Sequence, residues 1–77
     1  MQKLITKLPE PEGVLITQKD IEVVLRLSNG LKNEQIAKEL ELSRRTVEGK
    51  LNNLRSKTGC RTLAELVATF FRNGLIS

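Results

Sequence analysis

From residue 17 onward, apolar positions recur at helical spacing and fall into four blocks separated by glycines, asparagines and capping side chains. Thr17 followed three residues on by Asp20 has the form of a helix start, and Ile21, Val24, Leu25 and Ser28 carry one face forward until Asn29-Gly30 stops it. This predicts a first helix over 18–29. Asn33 is a good N-cap, and Ile36, Ala37 and Leu40 behind it predict a short second helix over 34–40. Glu41-Leu42 makes a tight connection. Ser43 then caps a third helix, 44–58, whose stripe is Val47, Leu51, Leu54 and Thr58 and whose end is Gly59. Thr62 with Glu65 is a second capping-box pattern; it opens a fourth helix, 63–73, that carries Leu63, Leu66, Val67, Phe70 and Phe71 and stops at Asn73-Gly74. No segment alternates with period two for long enough to predict a strand, and there is no internal repeat. The expected fold is therefore all-α, a four-helix bundle.

The region before Thr17 differs in kind. Pro9-Glu-Pro-Glu-Gly13 cannot continue a helix, so residues 1–16 are expected to form an extended linker or tether ahead of a folded domain at 17–77. A chain of 77 residues is one domain at most, and a domain of this size buries only about 60% of its unfolded surface. Hydrophobic residues make up 39% and charged residues 29%, with Phe70 and Phe71 the only aromatics, so the core must be aliphatic. Apolar runs stay far below the roughly 18 residues of a membrane span, and the amino terminus lacks the apolar stretch of a secretory signal. No membrane association and a cytoplasmic location are the expectations.

The inventory also bears on chemistry. With no histidine there is no Ser-His or Cys-His pair and no imidazole acid or base near neutral pH, and Cys60 alone can form neither an internal disulfide nor a zinc site. An enzyme is not expected, nor a metal or cofactor. Cys60 reads as a half-buried small apolar residue or, alternatively, as a redox-sensitive thiol.

Charge is distributed unevenly. Residues 1–16 balance, 17–42 carry a net −1 and 62–77 balance, whereas 43–61 hold Arg44, Arg45, Lys50, Arg55, Lys57 and Arg61 against Glu48 alone. The whole excess of +4 thus lies in the third helix and its exit, the footprint of a surface that meets phosphates, although a solvated helix face is the plainer reading. Advancing about 100° per residue from the inward Val47, the opposite face carries Arg45, Gly49, Asn52, Asn53 and Ser56. Thr46, Lys50 and Lys57 lie along one border, Glu48 and Arg55 along the other. The second helix, the short turn and the third helix have the proportions of a helix-turn-helix, whose second helix enters the major groove. Arginine pairs bidentately with guanine and asparagine with adenine, which suits such a face.

The runs Leu15-Ile-Thr-Gln-Lys-Asp-Ile-Glu-Val-Val-Leu-Arg-Leu-Ser-Asn-Gly30, Asn33-Glu-Gln-Ile-Ala-Lys-Glu-Leu40, Leu42-Ser-Arg-Arg-Thr-Val47 and Lys57-Thr-Gly-Cys-Arg61 together resemble the LuxR/GerE-type effector domain over residues 14–76. The elements are individually common; their order and spacing are specific. The resemblance implies a four-helix DNA-binding domain, usually the carboxy-terminal output module of bacterial response regulators or quorum-sensing regulators. Its third helix would read double-stranded DNA and its fourth would mediate homodimerisation. It further implies that residues 1–16 lead from an absent amino-terminal receiver or sensor domain. Carried onto this chain, Arg45, Glu48, Gly49, Asn52 and Asn53 are the candidates for base edges. Asn33, Ser43, Arg44, Thr46, Lys50 and Lys57 are the candidates for phosphates, and Val67, Phe70 and Phe71 for the dimer contact. Phe70 and Phe71 cannot both face one core, so one is available to a partner.

The chain departs from the family at Thr46-Val-Glu-Gly-Lys50, where Glu48 stands for a usual lysine and Lys50 for a usual histidine. Glu48 either accepts from cytosine N4 or pairs along the helix with Arg44 or Arg55. Gly49 either admits a close approach of DNA or is a tolerated surface glycine. Arg61 either meets phosphate or satisfies carbonyls at the end of the third helix. The same departures motivate a second reading, a protein-interaction adaptor that keeps the scaffold without specific DNA binding.

Overall fold

The computed structural model describes residues 5–7 and 15–77. Its elements are β1 (Ile5–Lys7), β2 (Leu15–Thr17), α1 (Gln18–Ser28), α2 (Asn33–Leu40), α3 (Arg44–Thr58) and α4 (Leu63–Arg72). The four helices coincide with the expected ones to within a residue at each end. No described helix is long and apolar enough to cross a membrane.

Three local expectations need correction. Thr6 pairs with Ile16 in a short antiparallel ladder, flanked by Ile5 with Thr17 and Lys7 with Leu15, where no strand was expected. Three residues per strand are too few to show alternation, and what joins these two is the interaction between them rather than a local pattern. The Pro9–Gly13 segment lies outside the described residues. Ile16, assigned by the sequence to the tether, has no exposed surface. Asn33 is also not the cap of α2 but its first helical residue. Lys32 holds the cap position in an extended conformation, and the Gln35 side-chain oxygen accepts its N–H at 2.8 Å.

Elsewhere the capping chemistry is as anticipated. Thr17 Oγ1 accepts the Asp20 N–H at 3.1 Å while Asp20 Oδ2 accepts the Thr17 N–H at 3.0 Å, a reciprocal box that joins β2 to α1. Ser43 Oγ accepts the Thr46 N–H at 3.0 Å and opens α3. Thr62 does the same for Glu65 on α4, but the Glu65 carboxylate reaches one residue further back, to the Arg61 N–H at 2.6 Å.

All four helices end alike. At each end the residue after the cap region donates across five residues: Leu31 to the Arg26 carbonyl, Leu42 to Ala37, Cys60 to Arg55 and Leu75 to Phe70, at 2.8–3.1 Å. These are Schellman endings. The residue at positive φ is Gly30, Gly59 or Gly74 in three of them and Glu41, at φ 57°, in the fourth. The donors Leu31, Leu42, Cys60 and Leu75 fold back against the core, so each stop is also a packing contact.

The core contains Ile16, Val23, Val24, Ile36, Val47, Leu51, Leu54, Leu66 and Phe70, each at most 2% exposed, with Ala37 and Ile76 beside them. One stripe from every helix contributes. The adjacent Phe70 and Phe71 separate as their helical spacing requires: Phe70 is fully buried and Phe71 is 48% exposed. A side chain with no surface has nothing to offer a partner, so Phe70 leaves the set of candidate dimer contacts, in which Phe71 and the half-buried Val67 remain.

Candidate nucleic-acid interface

Helix α3 packs its inward stripe, Val47, Leu51 and Leu54, against the other helices, while Thr58 turns its hydroxyl back to the Leu54 carbonyl at 2.7 Å. Burial of that stripe fixes the rotation of the helix about its axis. In consequence Arg45, Gly49, Asn52, Asn53 and Ser56 are all exposed, as is Lys57. This face carries no carboxylate, and at Gly49 an added Cβ would meet no other atom within 4 Å. The five residues placed on the outward face by the sequence are thus brought together on one open surface.

The border residues are held more tightly. Ser43 and Thr46 share a hydroxyl–hydroxyl hydrogen bond of 2.8 Å at the amino end of α3. Arg44 donates from Nε to Glu48 Oε2 at 3.0 Å, and its Nη1 lies 3.5 Å from Glu34 Oε2 on α2. The hydrogen bond donated to Glu48, then the charges of Glu48 and Glu34, raise the guanidinium pKa above its ordinary value. Of the two partners open to Glu48 within the helix, Arg44 is therefore the one engaged. Lys32, Asn33, Glu34, Arg44 and Glu48 line an open concavity of about 280 Å³ between the amino ends of α2 and α3. Asn33, a candidate for phosphate, is among its lining residues.

Two contacts were not anticipated. Lys50 leans off its border toward α1, its Nζ 3.5 Å from Oδ1 of Asp20, a carboxylate that is only 8% exposed. Thirty residues separate the two, and nothing local in the sequence joins them. Arg55 is turned the other way. Its Nη1 donates to the Arg61 carbonyl at 2.8 Å and its Nη2 to Asn52 Oδ1 at 3.0 Å, while Nε is buried without a partner. Arg55 thereby ties the end of α3 to the loop before α4 and holds the side-chain oxygen of Asn52. The bond to the chain beyond α3 comes from Arg55, and Arg61 supplies the accepting carbonyl rather than the donor its sequence position suggested. Cys60 is half-buried, with Sγ 3.4 Å from Thr69 Oγ1.

Comparison with known proteins agrees with this arrangement. Residues 14–70 match the profile of a family described as bacterial regulatory proteins, luxR family. The chain is 31% identical over 62 residues to the transcriptional regulatory protein YdfI of Bacillus subtilis (strain 168); the match covers 80% of this chain and 29% of the relative. Among solved structures it resembles that of the transcription factor GerE, with a TM-score of 0.79 and 22% identity over 80% of this chain and 92% of the other. That last likeness is one of fold.

Proposed function

The chain belongs to the luxR family of bacterial regulatory proteins, and from that premise we propose that it binds specific DNA sequences as the output domain of a transcription regulator, with α3 in the major groove. The observation that carries this reading is the exposed face of α3. Burial of Val47, Leu51 and Leu54 presents Arg45, Gly49, Asn52 and Asn53 together with no acid among them. Guanidinium and carboxamide groups match the donor and acceptor pattern of guanine and adenine edges in that groove. Ser43, Arg44, Thr46 and Lys57 flank the amino end and border of the helix, with Asn33 across the concavity, and suit phosphate contacts that fix register. Lys50 joins them by exchanging Asp20 for a phosphate.

The finer parts of the proposal follow from the family and from coverage. The chain spans about 29% of the length of its curated relative, in keeping with an output module joined through residues 1–16 to a receiver or sensor domain, as in a two-component response regulator in the cytoplasm. Two copies pairing through α4, with Phe71 and Val67 at the contact, would set two recognition helices on half-sites about ten base pairs apart.

An amide-shift NMR titration of the labelled chain with a mixed-sequence duplex at 50 and 200 mM salt tests the reading. Expected are shifts concentrated in residues 43–58 that weaken steeply with salt, with a log-log slope near −0.9 for each phosphate contact. A folded chain that shows no shifts at low salt refutes DNA binding and turns the search to a protein partner.

A further inference from the structure

We propose that Glu48 is a specificity-determining residue that selects cytosine, and that Arg44, anchored by Glu34, is the positioning residue that aims it; the inference rests on α3 being the helix that enters the groove. Glu48 is the only carboxylate in residues 43–61. Its pairing with Arg44 and its contact with a base are not competing uses. Arg44 occupies only Oε2, at 3.0 Å, and Oε1 has no hydrogen-bond partner among the described residues. The side chain is 43% exposed and stands beside Gly49, the lowest point of the helix surface. One oxygen is held and the other is presented.

The holding group has a second partner of its own. Arg44 is the first residue of α3 and Glu34 lies in the first turn of α2, so Glu34, Arg44 and Glu48 form a chain of charge that crosses the helix-turn-helix. Arg44 is drawn toward α2 as well, because its Nη1 lies 3.5 Å from a carboxylate on that helix, and the bias is modest because both groups are exposed. Glu48 is therefore aimed relative to both helices of the motif rather than by its own rotamer alone.

An ionised carboxylate accepts hydrogen bonds and donates none. On the major-groove edge the donors are cytosine N4 and adenine N6, while guanine O6 and thymine O4 are acceptors that repel it. Adenine sets its N7 acceptor directly beside N6, so a carboxylate drawn to the amine also meets a lone pair. Cytosine sets a C–H there. The base that satisfies Glu48 without opposition is cytosine. Where a lysine at this position would favour guanine, this chain reads the other member of the same base pair, and its preferred site should be inverted at that step.

Selection from a randomised duplex pool, followed by affinities for the selected site and its three variants at each position, tests this. The wild-type chain is expected to show cytosine at one position with a preference on the order of tenfold, the lower part of the range for a single base contact. Glu48→Ala should erase discrimination at that position and leave the others intact. Glu48→Gln, which both donates and accepts, should move the preference to adenine. Glu34→Ala should reduce discrimination at that same position only, and Glu34→Gln, which keeps an acceptor for Arg44, should restore part of it. Glu34 and Glu48 are 73% and 43% exposed, so these variants should fold, as circular dichroism will confirm. A selected site whose every preference survives Glu48→Ala overturns the inference and leaves DNA binding by α3 standing. Failure of the wild-type chain to bind or select any duplex overturns both.

Discussion

Replacing Gly49 by alanine should make the protein more stable and a poorer DNA binder, and the two signs together test the placement of α3. Gly49 is the sixth residue of a fifteen-residue helix, its φ is an ordinary helical one, and an added Cβ meets nothing within 4 Å. The substitution therefore introduces no clash in the free protein. It removes backbone freedom from the unfolded chain and should stabilise by about 0.5–1 kcal/mol. With an unfolding entropy of roughly 2.1 cal/mol/K per residue, a domain of 77 residues gains about 3–6 °C in Tm. The new methyl group points where we place the floor of the groove. Overpacking there costs on the order of 1–3 kcal/mol, a loss of roughly five- to 150-fold in affinity for the selected duplex. Thermal denaturation followed by circular dichroism gives the first quantity, and fluorescence anisotropy with a labelled duplex the second. An unchanged or lowered Tm refutes the account of the helix. A raised Tm with unchanged affinity refutes close approach at Gly49 and rotates the reading face away from it.

Arg45→Ala should relax base preference at one position, whereas Lys57→Ala should weaken all duplexes alike and flatten the salt dependence; equal losses on selected and scrambled duplexes for Arg45→Ala would remove it from the reading set. Glu41→Gly should raise stability by about 1 kcal/mol in chemical denaturation, because Glu41 alone among the four helix stops adopts φ 57° with a side chain, and no gain would mean the position is unstrained. Phe70→Ala should leave most of the chain unfolded, since emptying so buried a site costs about 3–5 kcal/mol in a domain with little to spare. Phe71→Ser should leave Tm within a degree or two while weakening self-association on DNA, and a large fall in Tm would show that Phe71 is part of the core. The hydrogen bond from Arg26, then that from Gln18, holds the Glu22 carboxyl below its ordinary pKa of 4.5. Its contribution is therefore present above 4.5 and lost as pH falls through the lower folded value. Urea titrations at several pH values should show the wild-type advantage over Glu22→Gln steady near neutrality and vanishing in acid; an advantage independent of pH would rule the ion pair out as its source.

Helix boundaries were legible because their signals are local. Thr17, Ser43 and Thr62 name the starts, Gly30, Gly59 and Gly74 the stops, and the Val47–Leu51–Leu54 stripe decides which side of α3 faces inward. The outward face follows from that stripe by geometry alone, which is why Arg45, Gly49, Asn52 and Asn53 appear where the periodicity puts them. What escaped the sequence depends on partners far along the chain. Lys50 stands on the border of the groove face, yet it leans toward a carboxylate thirty residues earlier. Arg55 has its guanidinium fixed by a carbonyl beyond the helix end. The β1–β2 ladder exists only through pairing of two three-residue segments. Asparagine suits a cap and so Asn33 reads as one, whereas the Gln35 side chain secures the turn one residue earlier, at Lys32.

Asp20 serves two elements with one carboxylate: Oδ2 closes the junction of β2 and α1 on the Thr17 N–H, and Oδ1 faces Lys50 in the middle of α3. Linkage makes such a shared group reciprocal. If a DNA phosphate drew Lys50 away from Asp20 and that changed the hold of Asp20 on the Thr17 N–H, the coupling free energy between the two events would act equally in both directions. Tension or release applied to the strand would then alter DNA affinity by that same coupling. One side chain thus joins the strand that precedes the helices to the middle of α3, across the domain and without passing through α2.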